Sequence, residues 1–410
     1  MPDVEFTNLL AVVLIALLAP LLLGLAPRLR VPAVVVEIVA GIVVGPHGLG
    51  LIEVDEPLQI VSLLGLGFLL FLAGLEIDIH QLRGQLLRLA VLGYGVTLVL
   101  GSAAGLAFSA IGWVHSPLLL AVTLSATSLG LVVPVLKDAR RADGMVGQFT
   151  IAAASVADFA AVLLLSLVFS TEGGSAGERL VMVALFALLV AVTGLAVATA
   201  GRSERIGGVL VRLQDTTAEI RVRAAVVLLV AFVALAEQFG LETILGAFLA
   251  GAVVGLVDRD ATSHPQFRIK LEALGYGFLI PVFFVTSGLR LDLRGLIDDP
   301  AALARVPLFL LALLAIRGLP ALLSIRTLGT RSTIAAGLLQ ATSLPFIVTA
   351  TQIGVTTGLM APVTAAALVC AGLLSVLLFP TIALALLKQP ATDQPTVPPG
   401  RPTAQPVRRP

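Results

Sequence analysis

The sequence predicts an all-α membrane protein of about thirteen transmembrane helices, built as two inverted repeats of six with a linker helix between them. Three observations predict it: an apolar composition, a one-sided distribution of Lys and Arg, and four short motifs that recur at a nearly constant offset. The chain of 410 residues is 58% hydrophobic and 12% charged, with a mean hydropathy of +1.05. Soluble domains average about 25% charged residues. A chain this apolar has too little polar surface to face water all round, so lipid is its solvent.

A bilayer-crossing helix needs about 20 mostly apolar residues. In order, such stretches run 8–27, 31–50, 57–76, 86–110, 117–137, 147–170, 179–200, 221–239, 241–257, 271–289, 303–324, 332–354 and 360–387. The second and ninth are short or Gly-rich. With Asp3 and Glu5 outside, alternation puts the Lys and Arg of the chain on the cytoplasmic side, except Arg179, Arg290, Arg294, Arg305 and the mid-helix Arg317. This positive-inside bias predicts N-terminus out and C-terminus in, in a prokaryotic plasma membrane.

Residues 1–388 form the expected membrane domain, with repeat one about 8–170, the linker helix 179–200 and repeat two about 221–387. Residues 389–410 are rich in Pro, Thr and Gln and read as a disordered cytoplasmic tail. The single cysteine, Cys370, allows no disulfide within the chain. No basic n-region or A-x-A site marks a cleaved signal peptide.

The repeat is read from residues. Ala40-Gly41-Ile42-Val43-Val44-Gly45 returns as Ala250-Gly251-Ala252-Val253-Val254-Gly255, at an offset of 210. Leu64-Gly65-Leu66-Gly67-Phe68-Leu69 returns as Leu274-Gly275-Tyr276-Gly277-Phe278-Leu279, again at 210. Gly74-Leu75-Glu76-Ile77-Asp78 matches Gly288-Leu289-Arg290-Leu291-Asp292 at 214, and Ala126-Thr127-Ser128-Leu129 matches Ala341-Thr342-Ser343-Leu344 at 215. Matching helices stand seven apart, an odd number, so the halves are inverted, an arrangement typical of secondary transporters. The spacing Gly41-x-x-x-Gly45, and its copy Gly251-x-x-x-Gly255, allows close helix approach and reads as packing.

Charges inside a membrane are costly and usually functional. Asp158 lies mid-helix in Ser155-Val156-Ala157-Asp158-Phe159, and Arg317 in Leu314-Ala315-Ile316-Arg317-Gly318. Desolvation disfavours a bare carboxylate and a nearby cation favours it. Asp158 is therefore expected to hold either a proton or a monovalent cation, with Ser155 one turn away. The alternative is an aspartate that only ties helices together. Thr127 and Ser128 in the fifth stretch, and Thr342 and Ser343 in the twelfth, lie beside Gly130, Pro134 and Pro345. Irregular backbone at this depth is tolerated where it lines a cavity. Its carbonyls and the Thr127 and Ser128 hydroxyls are candidate cation ligands; the alternative is back-bonding within each helix. Arg317 compensates charge at Asp158 or at the helix ends, or else pairs with the structural acids Glu37 or Glu242. His47, His80, His115 and His264 fall at loops or helix ends with no metal-site spacing.

Together these motifs resemble the monovalent cation/proton antiporters of the CPA2 branch, which includes Kef-type and sodium-proton exchanger membrane domains. The stretches that carry the resemblance are Pro32-Ala33-Val34-Val35-Val36-Glu37-Ile38 through Gly45-Pro46, Phe71-Leu72-Ala73-Gly74-Leu75-Glu76, Val133-Pro134-Val135-Leu136-Lys137 and Gly246-Ala247-Phe248-Leu249-Ala250-Gly251. The resemblance covers about residues 8–387. It implies helices 5 and 12 as two crossed, discontinuous helices, a mobile core of helices 4–6 and 11–13, and a panel of helices for a homodimer contact. It implies Asp158 as the ion-binding acid and Arg317 as the buried cation. The family often has an acid, Asn or Gln before that Asp; here it is Ala157. A single carboxylate predicts electroneutral exchange of Na⁺ or K⁺ for H⁺. No cofactor is expected. Kef-type systems add a nucleotide-binding domain, so regulation is expected to be absent or to come from a separate cytoplasmic subunit, which would make the chain a regulated potassium efflux system.

Two other function classes are weighed against this. A proton- or sodium-coupled organic anion carrier on the same scaffold would need more basic groups in the core than Arg317. An intramembrane enzyme would need a second acid or an H-E-x-x-H helix, and neither is present.

Overall fold

A computed structural model describes residues 5–25, 31–76, 84–169, 176–201, 219–257 and 265–387. Arg28, Arg30, Arg83, Arg202, Arg205, Arg212, Arg259, His80, His264, Lys388 and the expected tail 389–410 lie outside the described residues. Each of the predicted stretches contains helix among its described residues; the second is helical only over Ala33–Val44, and the fifth and twelfth are broken. The helices are α1 (Thr7–Leu25), α2 (Ala33–Val44), α3 (Glu56–Leu75), α4 (Gly84–Ala110), α5a (Pro117–Ser125) and α5b (Leu129–Asp138), then α6 (Met145–Phe169) and α7 (Ala176–Gly201). They continue with α8 (Ile220–Gln238), α9 (Thr243–Val257), α10 (Gln266–Leu289), α11 (Pro300–Leu328), α12a (Thr330–Gln340), α12b (Pro345–Thr356) and α13 (Pro362–Leu387). Among the described residues nine helices, counting each broken pair as one, are long and apolar enough to cross a membrane; Ala33–Val44, Ala184–Leu195 and Thr243–Leu256 are shorter apolar segments.

The helices form two layers. The panel packs α9 on α3, α10 on α2 and α3, and α8 on α9, with α1 against α2. The core packs α4 on α5a and α6, α12a on α13 and α6, and α11 on α13. The predicted linker, α7, lies against α9 and α6.

Local sequence sets the helix starts. Asp55 accepts the Leu58 N–H at 3.0 Å with Pro57 in the first turn of α3, and Ser116 accepts the Leu119 N–H at 3.3 Å ahead of Pro117 in α5a. Both are side-chain N-caps followed by a proline that has no N–H to lose.

Glycine holds the panel together. A Cβ on Gly41 would collide with the Val285 carbonyl, and one on Gly288 with the Ile38 carbonyl, so α2 and α10 meet backbone to backbone. A Cβ on Gly251 would collide with the Phe71 carbonyl, and one on Gly74 with the Phe248 carbonyl, so α9 and α3 meet the same way. These two crossings are copies of each other: Gly41 corresponds to Gly251, and Gly288 to Gly74. The motif that marked the repeat is therefore also the contact that joins one half to the other.

The prolines act differently from expectation in helix 5. Gly130 and Pro134 were expected to weaken its hydrogen bonding near Thr127-Ser128, yet α5b runs unbroken through Pro134 and the gap falls at Ala126-Thr127-Ser128 itself. Ala126 (φ −76°, ψ 156°) is extended there. The reason is the crossing itself: the Ser128 N–H donates to the Thr342 carbonyl at 2.9 Å. Two backbones released from their own helices satisfy each other where they meet. In helix 12 the expectation holds, and Pro345 begins α12b.

Candidate functional site

The middle of α6 faces the gap in helix 5. Asp158 Oδ1 accepts the Thr127 N–H at 3.2 Å, and Oδ2 accepts the Leu129 N–H at 3.1 Å. Leu129 is the first residue of α5b, and Ser128 makes no side-chain cap. The carboxylate thus caps the half-helix, where unpaired amides and the positive end of the dipole favour negative charge.

Asp158 is partly exposed, to a cleft of about 60 Å³ between panel and core. Val34, Ala73 and Tyr276 line the panel side; Ser128, Gly130 and Phe346 line the core side. Pro134 has no N–H to offer the Gly130 carbonyl four residues back. The cleft therefore holds one carboxylate, the Ser128 hydroxyl and a helix carbonyl without its usual partner. Such oxygen donors suit a weakly held monovalent ion. Among the described residues no group of three or more His, Cys, Asp or Glu could hold a metal. A larger cavity of about 300 Å³, lined by Arg141 and Arg331 among others, contains none of the predicted site residues.

Arg317 is buried in α11 beside the crossing. Its Nε donates to Thr127 Oγ1 at 2.9 Å, a second nitrogen donates to the same oxygen, and the third reaches Thr97 Oγ1 at 3.3 Å. The Thr127 hydroxyl in turn donates to the Gln340 carbonyl at 2.7 Å. That hydroxyl, expected as a cation ligand, is thus committed to Arg317 and to helix 12; Thr127 serves Asp158 through its backbone N–H instead. Arg317 forms no ion pair with Glu37 or Glu242. Glu37 is buried in α2, and Glu242 starts α9, its N–H donating to Ser166 Oγ at 3.2 Å.

On helix 12 the Ser343 N–H donates to Ser375 Oγ at 3.2 Å, while Thr342 Oγ1 bonds back to Leu338 at 3.2 Å. Gln340 Nε2 and Ser343 Oγ are buried without a protein partner. Ser155 is buried and does not line the cleft. Sequence reasoning missed Thr97, Gln340, Ser375 and Tyr276. Only Tyr276 carried a signal, as a tyrosine inside a glycine motif whose repeat copy has Leu66 at that position.

Comparison with known proteins places this geometry. A family model described as sodium/hydrogen exchanger, transmembrane, matches residues 13–389. The Bacillus subtilis protein named putative Na⁺/H⁺ antiporter YjbQ is 34% identical over 370 residues, covering 86% of this chain and 58% of its own length. Probable Na⁺/H⁺ antiporter 3 of Methanocaldococcus jannaschii is 29% identical over 348 residues, covering 82% and 86% respectively. The solved sodium proton antiporter MjNhaP1 of Methanocaldococcus jannaschii shares the fold, with a TM-score of 0.62 over 93% of this chain and 98% of that one, at 18% identity.

Proposed function

The chain belongs to the sodium/hydrogen exchanger family, and on that premise we propose that it exchanges a monovalent cation, Na⁺ or K⁺, for a proton across the membrane. One observation carries the reading: the half-buried acid of α6 caps a half-helix and faces a cleft between the two layers. A carboxylate there binds either a proton or a cation, and each must leave before the other enters. Exchange follows from that exclusion without a covalent step.

The layers supply the movement. Asp158, Thr127, Arg317 and the crossing all belong to the core, while α2, α3 and α10 close the other side of the cleft. Sliding the core along the panel carries the site from one face to the other. The cleft is bounded by Ala73 and Tyr276 toward the end that carries Lys137, Arg268 and Arg331, which is the cytoplasmic end if the positive-inside bias holds. Thirteen crossings, a homodimer joined through the panel, and an N-terminus outside complete the proposal.

The test is fluorescence dequenching in proteoliposomes holding a pH gradient, with Li⁺, Na⁺, K⁺ and Rb⁺ added in turn. Unsubstituted protein is expected to dissipate the gradient with Na⁺ or K⁺. Asp158→Asn is expected to be inserted and inactive. Full activity in Asp158→Asn would sink the mechanism.

A further inference from the structure

A second cavity between panel and core, of about 110 Å³, opens at the opposite end of the molecule from Lys137 and Arg331. Ser287, Arg290 and Leu291 form its panel wall, α12b supplies Thr351 and Gln352, and the start of α13 closes it. Its walls are the repeat copies of those around Asp158: α10 corresponds to α3, helix 12 to helix 5, and α13 to α6. Ser287 lies 214 residues after Ala73, and these two line corresponding positions. Here the layers are closed on each other. The Gln352 amide approaches Ser287 Oγ at only 3.5 Å, and the buried Phe284, on the same helix as Ser287, lines the Asp158 cleft.

The two ends differ in charge. Glu76 caps α3 and its repeat copy, Arg290, caps α10. Glu76 shares its surroundings with Glu272, Arg268 and Lys137. Among the described residues, Arg290 is the sole charged group lining its cavity. Asp292, two residues on, is already paired with His47 at 3.4 Å, and the nearby Arg294 donates to the Gly48 carbonyl. Partial burial pushes the Arg290 guanidinium down, and it keeps its proton.

We infer that Arg290 sets the apparent cation affinity of the transport path at this end, as a fixed positive charge in the vestibule through which ions reach Asp158 when the core has moved. This rests on the exchange reading above. A cation entering here passes a like charge with no acid lining the cavity beside it; at the other end Lys137 and Arg268 stand among the acids Glu76 and Glu272. At about 10 Å in a partly aqueous vestibule, one unit charge changes local cation occupancy by about twofold to tenfold. The exchanger is thereby polarised: the same site binds cations more weakly from the Arg290 face than from the other.

The experiment compares membrane vesicles of opposite sidedness carrying unsubstituted protein, Arg290→Gln or Arg290→Lys. For cation added at the Arg290 face, KM is expected to fall about twofold to tenfold in Arg290→Gln and to stay unchanged in Arg290→Lys. At the opposite face all three should agree. The difference should shrink as choline chloride is raised, since salt screens over about 8–10 Å. Equal KM values at the Arg290 face, an equal change at both faces, or a change in Arg290→Lys as large as in Arg290→Gln would overturn the inference. Absence of exchange by the unsubstituted protein would instead overturn the reading beneath it, and this one with it.

Discussion

Asp158 and Arg317 are joined through a single residue and not by an ion pair. The Thr127 N–H donates to the carboxylate at 3.2 Å, and the Thr127 hydroxyl accepts from the guanidinium at 2.9 Å. The acid stays open to the cleft while the buried cation is held one residue behind it. A direct pair would occupy the oxygens that the transported ion needs.

Removing that intermediate has a defined cost. Thr127→Val keeps the shape and the N–H but deletes the hydroxyl, leaving Arg317 donors unmet in a buried site. A loss of about 1–3 kcal/mol is expected. It should appear as a lower unfolding temperature in detergent, together with slowed exchange. Thr127→Ser restores the oxygen and should recover most of both. Equal stability of Thr127→Val and unsubstituted protein would count against the role.

One carboxylate holding one proton or one cation predicts electroneutral exchange. A diffusion potential of about 100 mV changes the driving force on each net charge by about 2.3 kcal/mol. Exchange rates measured with and without such a potential, at fixed ion gradients, should therefore agree. A strong dependence on potential would require a second proton carrier.

Under the proposed exchange, competition at Asp158 fixes the pH dependence. Protons and cations exclude each other, so raising the cation favours the deprotonated form, and activity limited by proton occupancy must move to more acidic pH. Above its dissociation constant, each tenfold rise in cation should shift that limb by about one pH unit. The shift is readable as a pH-probe response across a matrix of pH and Na⁺. A profile independent of Na⁺ concentration would mean separate sites.

The panel crossings give paired predictions. Gly41→Ala and Gly251→Ala each place a methyl inside contact distance of a facing backbone carbonyl. Overpacking costs of about 1–3 kcal/mol are expected for each. Being copies, the two variants should fall together in thermal stability. Gly67→Ala, where a Cβ meets nothing within 4 Å, serves as the neutral control. Tolerance at either crossing would contradict the contact.

Much of this was legible because it was charged or repeated. Asp158 and Arg317 announced themselves as ionisable residues amid apolar ones, and Thr127-Ser128 by returning as Thr342-Ser343. The cause of the gap in helix 5 was not legible. Pro134 drew attention to itself, yet the gap is set by where the Ser128 N–H finds the Thr342 carbonyl, a partner more than 200 residues away. Thr97 and Gln340 were invisible for the same reason: their significance lies in facing Arg317 and Thr127, which no local pattern records. The Thr127 hydroxyl lies beside the crossing, but its partners, Arg317 and the Gln340 carbonyl, could not be known from its own helix.

The two glycine crossings have a consequence for how such a protein can change. Where α2 meets α10 and α3 meets α9, backbone rests on backbone, and there is no side chain to enlarge, shrink or exchange. These joints accept glycine or fail. Variation that alters speed or ion preference must therefore accumulate along the seam between core and panel, at positions such as Ala73, Tyr276, Ser287 and Arg290. The frame is fixed by what it lacks, and adaptation is confined to the surface where core meets panel.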